Sequence, residues 1–309
     1  MFITPLPGGF LRLGWTFFLA LTFPCFAAKN DLPPKLDEFI AKGMEDWQLP
    51  GLAIAVVKDG RPILLKGYGV REVGKPESVD ADTLFAIGSA SKAFTAAALG
   101  ILVDRKWTRW DSHVHELAPE VKFADPWVTN EIRLSDLPAN RSGLSGVSEA
   151  LWYGTGFTRS EILDRLEDVP VSEGFRYHFQ YRNVMFLLAG EMIPRITGGT
   201  TWDEFLQSEI FNPLGMQRSQ PTESGLDGKA NVARPHILSY QGDPVVVPYR
   251  DMHNIAPAGS IISTARDLVP WMNVHLGQND PPLVSPETLR FLHAPMTPMW
   301  SIGASGDIQ

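Results

Sequence analysis

Residues 88–96 read GSASKAFTA, which places Ser89 and Lys92 three positions apart at the start of an apolar segment. That segment, residues 89–102, carries apolar side chains almost all round, a pattern that predicts a buried helix rather than a surface helix. Side chains three positions apart share one face of a helix, so the serine and the lysine are expected to meet. Two interpretations are open for Ser89: a nucleophile with Lys92 as its base, or the N-cap of the helix, a role that serine commonly fills.

The apolar surroundings of Lys92 favour the catalytic interpretation. A lysine buried in such a helix must find partners or lose its proton, because desolvation disfavours the ammonium form and lowers the pKa. A neutral lysine can accept the hydroxyl proton of a neighbouring serine. The helix start also offers backbone N–H groups and the positive end of the dipole where an oxyanion would form. The spacing alone is weak, since Ser-x-x-Lys matches arise by chance in chains of this length.

A second polar cluster, Tyr181-Arg182-Asn183, lies in the segment FQYRNVMFLLAGEM. Taken alone, Asn183 would cap a helix over residues 184–193, and Tyr181 would be a half-buried aromatic residue. Beside a serine–lysine pair both residues acquire a chemical role. A phenol next to an ammonium group can lose or relay a proton, and an amide can donate to and accept from a substrate amide.

The rest of the pattern predicts a sheet-bearing part followed by a helical part. Apolar runs at 52–57 and 62–65, separated by Lys58-Asp59-Gly60-Arg61, predict a β-hairpin, because Asp-Gly is a strong turn signal. An amphipathic helix at 36–47 precedes it. Helices are predicted after it, and loops are predicted at 218–231 and 277–286. The predicted helices are 161–166, 184–193, 202–210 with a Thr201/Glu204 capping box, and a last helix at 265–275.

The N-terminus has the composition of a secretory signal. Arg12 is followed by the uncharged apolar run 13–23 and by small residues around Cys25 and Ala27, so we expect a signal peptide at 1–27 and a mature domain at 28–309. The alternatives are an uncleaved anchor, for which the run is short, and a lipoprotein signal through Cys25, which its neighbours fit poorly. Export predicts a secreted or periplasmic protein without cysteine in its mature part.

Composition excludes several classes of function. The net charge of −8 gives no electrostatic basis for binding nucleic acid or an anionic membrane surface, and a membrane contact is expected only if the signal stays uncleaved. No G-x-S-x-G motif supports an α/β-hydrolase. His113-Val114-His115 has no clustered third ligand, so ordinary surface or core histidines are expected there instead of zinc. No metal and no organic cofactor are predicted.

The chain resembles the serine β-lactamase and penicillin-binding-protein superfamily. It is most similar to the branch with class C β-lactamases, D-alanyl-D-alanine peptidases and related serine carboxylesterases. Ser89-Ala90-Ser91-Lys92 matches the family's S-x-x-K motif, and the 181–183 cluster matches its Y-x-N motif, in the right order. Two weaker landmarks agree, IRLSDLPANRSGLSG at 132–146 and PAGSIISTARDL at 257–268. The resemblance spans residues 36–297.

The resemblance implies an α+β fold, with an antiparallel sheet flanked by helices plus a helical lobe. It also implies an acyl-enzyme on Ser89. Lys92 with Tyr181 would deprotonate the serine and later protonate the leaving group, and Asn183 would orient the substrate. The expected substrates are small molecules or peptidoglycan-type compounds: β-lactams, D-Ala-D-Ala-type peptides or esters.

The third motif of the superfamily, K-T-G or H-x-G on a late strand, is the main departure. K-T-G does not occur after residue 264, and His275-Leu276-Gly277 is expected to close a helix rather than lie on a strand. We therefore expect a domain that is incomplete at its C-terminus and lacks the last strands of the fold. The alternative to an active enzyme is a truncated, non-catalytic fragment or pseudoenzyme of the same fold.

Overall fold

The computed structural model describes residues 32–226 and 228–299. The predicted signal peptide at 1–27, with Cys25, lies outside these residues. The α-helices of the described part are, in chain order, α1 (Leu36–Asp46), α2 (Ser91–Asp104), α3 (Val114–Leu117), α4 (Pro126–Glu131), α5 (Arg159–Asp164), α6 (Asn183–Thr197), α7 (Trp202–Leu206), α8 (Ala256–Gly259), α9 (Leu268–His275) and α10 (Pro286–Leu292). The strands are β1 (Gly51–Lys58), β2 (Arg61–Gly69), β3 (Phe85–Ala86), β4 (His236–Leu238), β5 (Pro244–Val246) and β6 (Ile262–Ser263).

The predicted hairpin is present as the antiparallel pair β1–β2. Its turn residues Asp59 and Gly60 have φ values of 49° and 76°. Two consecutive positive φ angles are those of the tight turn that an Asp-Gly pair favours between twisted strands. The register shifts between Val56 and Val57, which is a bulge near the turn. Helix α9 packs against β1.

Helix α2 forms the centre of the hydrophobic core. It packs against α6, α7, α8 and α10, and Phe94, Leu99 and Leu102 on it are fully buried. The ring of Phe94 stacks on Trp271 of α9 with centroids 3.8 Å apart. The burial of most of α2 is what the nearly all-round apolar pattern of this segment predicted.

A short antiparallel pair, β3–β6, fixes the approach to α2. Phe85 pairs with Ser263, and just beyond the pair the N–H of Ile87 donates to the carbonyl oxygen of Ile261 at 2.9 Å. The segment that leads into α2 is therefore held against the segment that follows α8. Two parts of the chain more than 160 residues apart meet at the start of the central helix.

The α+β class expected from the sequence is confirmed, with small antiparallel sheets among many helices. Within the described residues, none of the helices combines the length and the apolar character needed to traverse a bilayer. The predicted capping box is also present, since Thr201 accepts from the N–H of Glu204 and the Glu204 carboxylate accepts from the N–H of Thr201. The interpretation of His275-Leu276-Gly277 as a helix end is confirmed as well: α9 ends at His275, and Gly277 has a φ of 66°.

The element predictions for the C-terminal part were wrong in places. The helix predicted at 265–275 begins only at Leu268 and is not the last one, because α10 follows it. Ser285 caps α10 by accepting from the N–H of Thr288, with Pro286 in the first turn, a start signal that the loop assignment overlooked. The predicted helix 202–210 is present as α7 and a wider helical turn that continues it to Phe211. The hairpin β4–β5 was not foreseen.

Candidate active site

A tight turn ahead of α2 presents Ser89. The residue lies in a single 3-10 turn, Gly88–Ala90, in which Gly88 has a φ of 52°. Ser91 stabilises the turn. Its buried hydroxyl donates to the Gly88 carbonyl oxygen at 2.7 Å and accepts from the Ile261 N–H at 3.1 Å. Ser89 itself is exposed. The expectation that it lies on a buried helix face is wrong, and so is the N-cap alternative, because its side chain makes no capping hydrogen bond.

Lys92 lies one turn further on and is buried, with 8% of its surface exposed. Its Nζ is 3.1 Å from Ser89 Oγ, 2.7 Å from Asn183 Oδ1 and 2.7 Å from the carbonyl oxygen of Ala258. Burial lowers the pKa of the Lys92 ammonium below its ordinary value of 10.5, and Tyr181 and the Glu149 carboxylate partly oppose that shift. The neutral form is thus more accessible than in an exposed lysine.

Of these three hydrogen-bond partners of Lys92, only Ser89 can exchange a proton with it. Asn183 Oδ1 and the Ala258 carbonyl oxygen can only accept, so each holds one N–H of Lys92. The third tetrahedral position of the nitrogen faces Ser89 Oγ, which can either donate or accept. When Lys92 is neutral, its lone pair therefore points at the serine hydroxyl, which is the geometry of general-base catalysis.

Tyr181 contacts Ser89 as well. The two hydroxyl oxygens are 2.5 Å apart, and the Tyr181 ring lies 4.7 Å from Lys92 Nζ. The strand-like segment before α6 holds it there: Asn140 accepts from the Gln180 N–H through its carbonyl oxygen and from the Arg182 N–H through its side chain. The hydroxyl of Ser89 thus contacts both a lysine and a phenol.

Asn183 is the first residue of α6 and not its cap. Its amide oxygen faces Lys92, and its amide nitrogen donates to Glu149 Oε2 at 2.6 Å. The backbone N–H of Asn183 donates to Glu149 Oε1 at 2.8 Å, and the Trp152 indole N–H donates to Oε2 at 2.8 Å. The structure therefore brings all four predicted residues, Ser89, Lys92, Tyr181 and Asn183, into one connected group.

A family model described as Beta-lactamase matches residues 36–301, most of the chain. The chain belongs to the beta-lactamase family. This family is of the serine hydrolase type, and the resemblance found in the two motifs is confirmed.

Curated proteins similar to this chain include one from a bacterium and one from a fungus. Penicillin-binding protein 4 of Amycolatopsis lactamdurans is 30% identical over 253 residues, which cover 81% of this chain and 64% of the relative. Unguisins hydrolase ungD of Aspergillus violaceofuscus is 28% identical over 263 residues, which cover 80% of this chain and 46% of the relative. The chain thus spans less than two thirds of the length of each of these relatives.

Solved structures of this family share the fold. The octameric penicillin-binding protein homologue from Pyrococcus abyssi superposes with a TM-score of 0.72 at 26% identity, covering 83% of this chain and 58% of that chain. The D-alanine carboxypeptidase AmpC from Burkholderia cenocepacia has a TM-score of 0.65 at 22% identity, over 82% of this chain and 66% of that chain. Because the carboxypeptidase is only 22% identical to this chain, its similarity concerns the fold alone.

Two members of the site were missed by sequence reasoning. Ala258 contributes only a backbone oxygen, although its segment was noted as a family landmark. Glu149 had no motif or spacing signal, because its role depends on the packing of the 3-10 helix Gly146–Leu151 beside α6. An apolar cavity of about 320 Å³ also borders Lys92, with Trp110, Phe179 and Phe291 among its walls.

Among the described residues, no three His, Cys, Asp or Glu side chains group as metal ligands do. The imidazole rings of His113 and His115 lie 5.4 Å apart and tilted to one another.

Proposed function

We propose that this protein is an exported serine hydrolase that forms an acyl-enzyme on Ser89. The observation that carries the proposal is the position of the exposed Ser89 hydroxyl, 3.1 Å from buried Lys92 and 2.5 Å from the Tyr181 hydroxyl. A nucleophile within hydrogen-bond reach of a base, with the base oriented by further groups, is the arrangement that covalent catalysis requires.

In this proposal neutral Lys92 takes the proton of Ser89 as its Oγ attacks the carbonyl carbon of the substrate. The tetrahedral oxyanion is stabilised in part by the Ser89 N–H, at the positive start of α2. When the intermediate collapses, the bond to the leaving nitrogen or oxygen breaks, and that atom receives the proton from Lys92 directly or through Tyr181. Water then attacks the acyl carbon and gives a proton to Lys92. The bond between that carbon and Ser89 Oγ breaks, Oγ takes the proton from Lys92, and the acid is released.

Asn183 retains a role toward the substrate in this scheme. Its amide nitrogen carries two hydrogens, and one of them is taken by Glu149. The other can donate to the carbonyl oxygen of a substrate's acyl-amide group. Asn183 therefore serves Lys92 through its oxygen and the substrate through its nitrogen.

The proposed substrates are β-lactams, D-Ala-D-Ala-type peptides and esters. The names of two relatives, a penicillin-binding protein and an unguisins hydrolase, support acyl compounds as a class. The choice among the three depends on pocket shape, to which the family gives no guide. Export is proposed on the signal-like pattern of residues 1–27, with residues 28–309 as the mature domain.

The test is covalent labelling of the purified protein with a fluorescent penicillin and, separately, with a fluorescent fluorophosphonate. We expect at least one probe to label the wild type and the Ser89→Ala variant to lose that label completely, because Ser89 carries the exposed hydroxyl that lies within hydrogen-bond distance of Lys92. Ser208→Ala, at an exposed serine outside the site, serves as the matched control and should label normally.

The choice of labelling probe also reports the substrate class. Labelling by penicillin supports lactam or peptide substrates, and labelling by fluorophosphonate alone supports esters. A folded wild-type protein that neither probe labels would contradict the proposal and favour a non-catalytic member of the family. Labelling that persists in Ser89→Ala would contradict the assignment of the nucleophile.

A further inference from the structure

The carboxylate of Glu149 receives three hydrogen bonds at the edge of the site. The backbone N–H and side-chain amide of Asn183 donate to it at 2.8 and 2.6 Å, and the Trp152 indole N–H donates at 2.8 Å. Glu149 is half-buried and faces no cation within ion-pair distance among the described residues. All three contacts come from one asparagine and one tryptophan, so this half-buried carboxylate is placed to fix the positions of their side chains.

The effect of Glu149 follows from the two ends of the Asn183 amide, an oxygen that accepts and an NH2 group that donates. If the Asn183 side chain rotated by half a turn, its NH2 group would face the N–H groups of Lys92, and its oxygen would face the Glu149 carboxylate. Donors would then face donors at Lys92, and acceptors would face acceptors at Glu149. Because a carboxylate can only accept, Glu149 selects the one orientation in which the amide oxygen points at Lys92.

We propose that Glu149 is a positioning residue that acts on Lys92 through Asn183, with Trp152 holding the carboxylate in place. This inference rests on the proposed function, since its purpose is to keep Lys92 aimed at Ser89. The contacts form a continuous path, from the Trp152 indole to Glu149, to the Asn183 amide, to Lys92 Nζ and to Ser89 Oγ.

Glu149 also adds a negative charge near the proposed base. The titratable groups that act on Lys92 in the described structure are Tyr181, ahead of α6, and Glu149. Both oppose the effect of burial, so loss of the Glu149 charge lowers the pKa of Lys92 further. A purely structural carboxylate could be replaced without any change in how Lys92 titrates, which separates the two roles.

The decisive variant is Glu149→Gln, which has nearly the same shape. Glutamine offers one acceptor oxygen and one NH2 donor where three donors now converge, so at least one contact of Asn183 or Trp152 must break. The first readout is the pH dependence of the rate of Ser89 labelling. We expect the midpoint to move to lower pH by roughly 0.5–2 units, the range for loss of one nearby charge at effective dielectric constants between water and protein. The plateau rate should fall at least about 10-fold, because Asn183 is no longer fixed.

A second readout does not depend on activity. The Nζ resonance of Lys92 in protein carrying ¹⁵N-labelled lysine, assigned with the Lys92→Arg variant, reports its ionisation directly. It should titrate at lower pH in Glu149→Gln than in the wild type. If neither probe labels the wild type, the proposed function fails, whereas this titration still decides whether Glu149 controls Lys92.

Three further variants separate charge from position. Trp152→Phe keeps the carboxylate charge, so its midpoint should stay near that of the wild type while its plateau rate falls. Glu149→Asp keeps the charge on a shorter side chain and should behave likewise, which provides the test if Glu149→Gln does not fold. Glu38→Gln, on the exposed face of α1, should change neither quantity. An unchanged midpoint and an unchanged Lys92 titration in Glu149→Gln, or an unchanged plateau rate in Glu149→Asp, would overturn the inference.

Discussion

Lys92 shows how burial and polar contacts together define a chemical state. Its Nζ is removed from water, which lowers its pKa, yet each of its hydrogen-bonding positions meets an oxygen. A buried lysine without these oxygens would be neutral, but its amine would have no fixed orientation. A lysine at the surface with the same oxygens would be fully protonated. The role of base that we propose for Lys92 requires both conditions at one nitrogen.

The direction of this pKa shift predicts the pH profile of labelling. Only the neutral lysine can accept a proton, so the labelling rate of Ser89 should rise with pH through the pKa of Lys92. Because burial lowers that pKa, the rate should level off clearly below the ordinary lysine value of 10.5. The measurement is the labelling rate between pH 5 and pH 10. A rate that falls over this range as pH rises would contradict a lysine base.

Replacement of Lys92 by arginine tests whether this residue acts as the base. The guanidinium group stays protonated at any pH that the protein survives, so Lys92→Arg keeps the charge but removes the base. We expect labelling to fall by about 10²–10⁴-fold, the usual contribution of a general base. Lys42→Arg, at an exposed position on α1, is the control and should label like the wild type. Undiminished labelling of Lys92→Arg would remove lysine from the mechanism.

At the scale of elements, the site depends on the contact between α6 and α8. Helix α6 begins with Asn183, and α8 carries the Ala258 carbonyl oxygen, so their separation determines the distance between two partners of Lys92. The helices approach closely where Gly190 meets Pro257. A Cβ atom at Gly190 would lie 2.3 Å from Pro257 Cγ. Only glycine allows this contact without a shift of one helix.

Gly190→Ala should therefore loosen the site and the core together. We expect the free energy of unfolding to fall by roughly 1–3 kcal/mol through overpacking, and Ser89 labelling to slow as Ala258 moves away. The matched control is Gly43→Ala, another glycine inside a helix, where an added Cβ meets no atom within 4 Å. That change should stabilise the protein by about 0.5–1 kcal/mol, because alanine is the better helix former. Denaturant unfolding of both variants tests the pair, and equal effects would contradict the packing argument.

Across the whole molecule, two histidines connect the last two described helices. His275 ends α9, and its Nδ1 lies 2.9 Å from Nε2 of His293, just after α10, with the rings stacked. The half-buried position of His275, with a smaller effect of His293, lowers the pKa of His275 below its ordinary value of 6.5. The folded protein therefore binds this proton less readily than the unfolded chain does.

This difference predicts a loss of stability in mild acid. Where the unfolded state binds more protons, stability falls as pH decreases, here from about 7 downward through the lowered pKa of His275. The Tm of the wild type should consequently drop more between pH 7.5 and pH 5.5 than the Tm of His275→Phe, which keeps an aromatic ring against Trp271 and His293. His253→Asn, at an exposed histidine, should retain the drop of the wild type. Equal pH dependence in wild type and His275→Phe would refute the assignment.

Local patterns in the chain allowed the hairpin, the buried central helix, the capping box and the four polar residues of the site to be predicted. Each of these is encoded within a few neighbouring residues: a turn pair, a run of apolar side chains, a spacing of three. Helix ends and short strands were predicted less well, because β3 and β6 exist only by pairing across the chain.

Glu149, the Ala258 carbonyl oxygen and the presentation of Ser89 on an exposed turn could not be predicted in the same way. Each depends on contacts between segments far apart in the chain, Glu149 with Asn183, Ala258 with Lys92, and Ser91 with Ile261. A one-dimensional pattern records which groups are available, whereas the direction in which they face is set by how the helices pack. The chemical groups around residues 89–92 can therefore be predicted from the sequence, whereas the orientation of Lys92 toward Ser89 depends on the packing of the folded core.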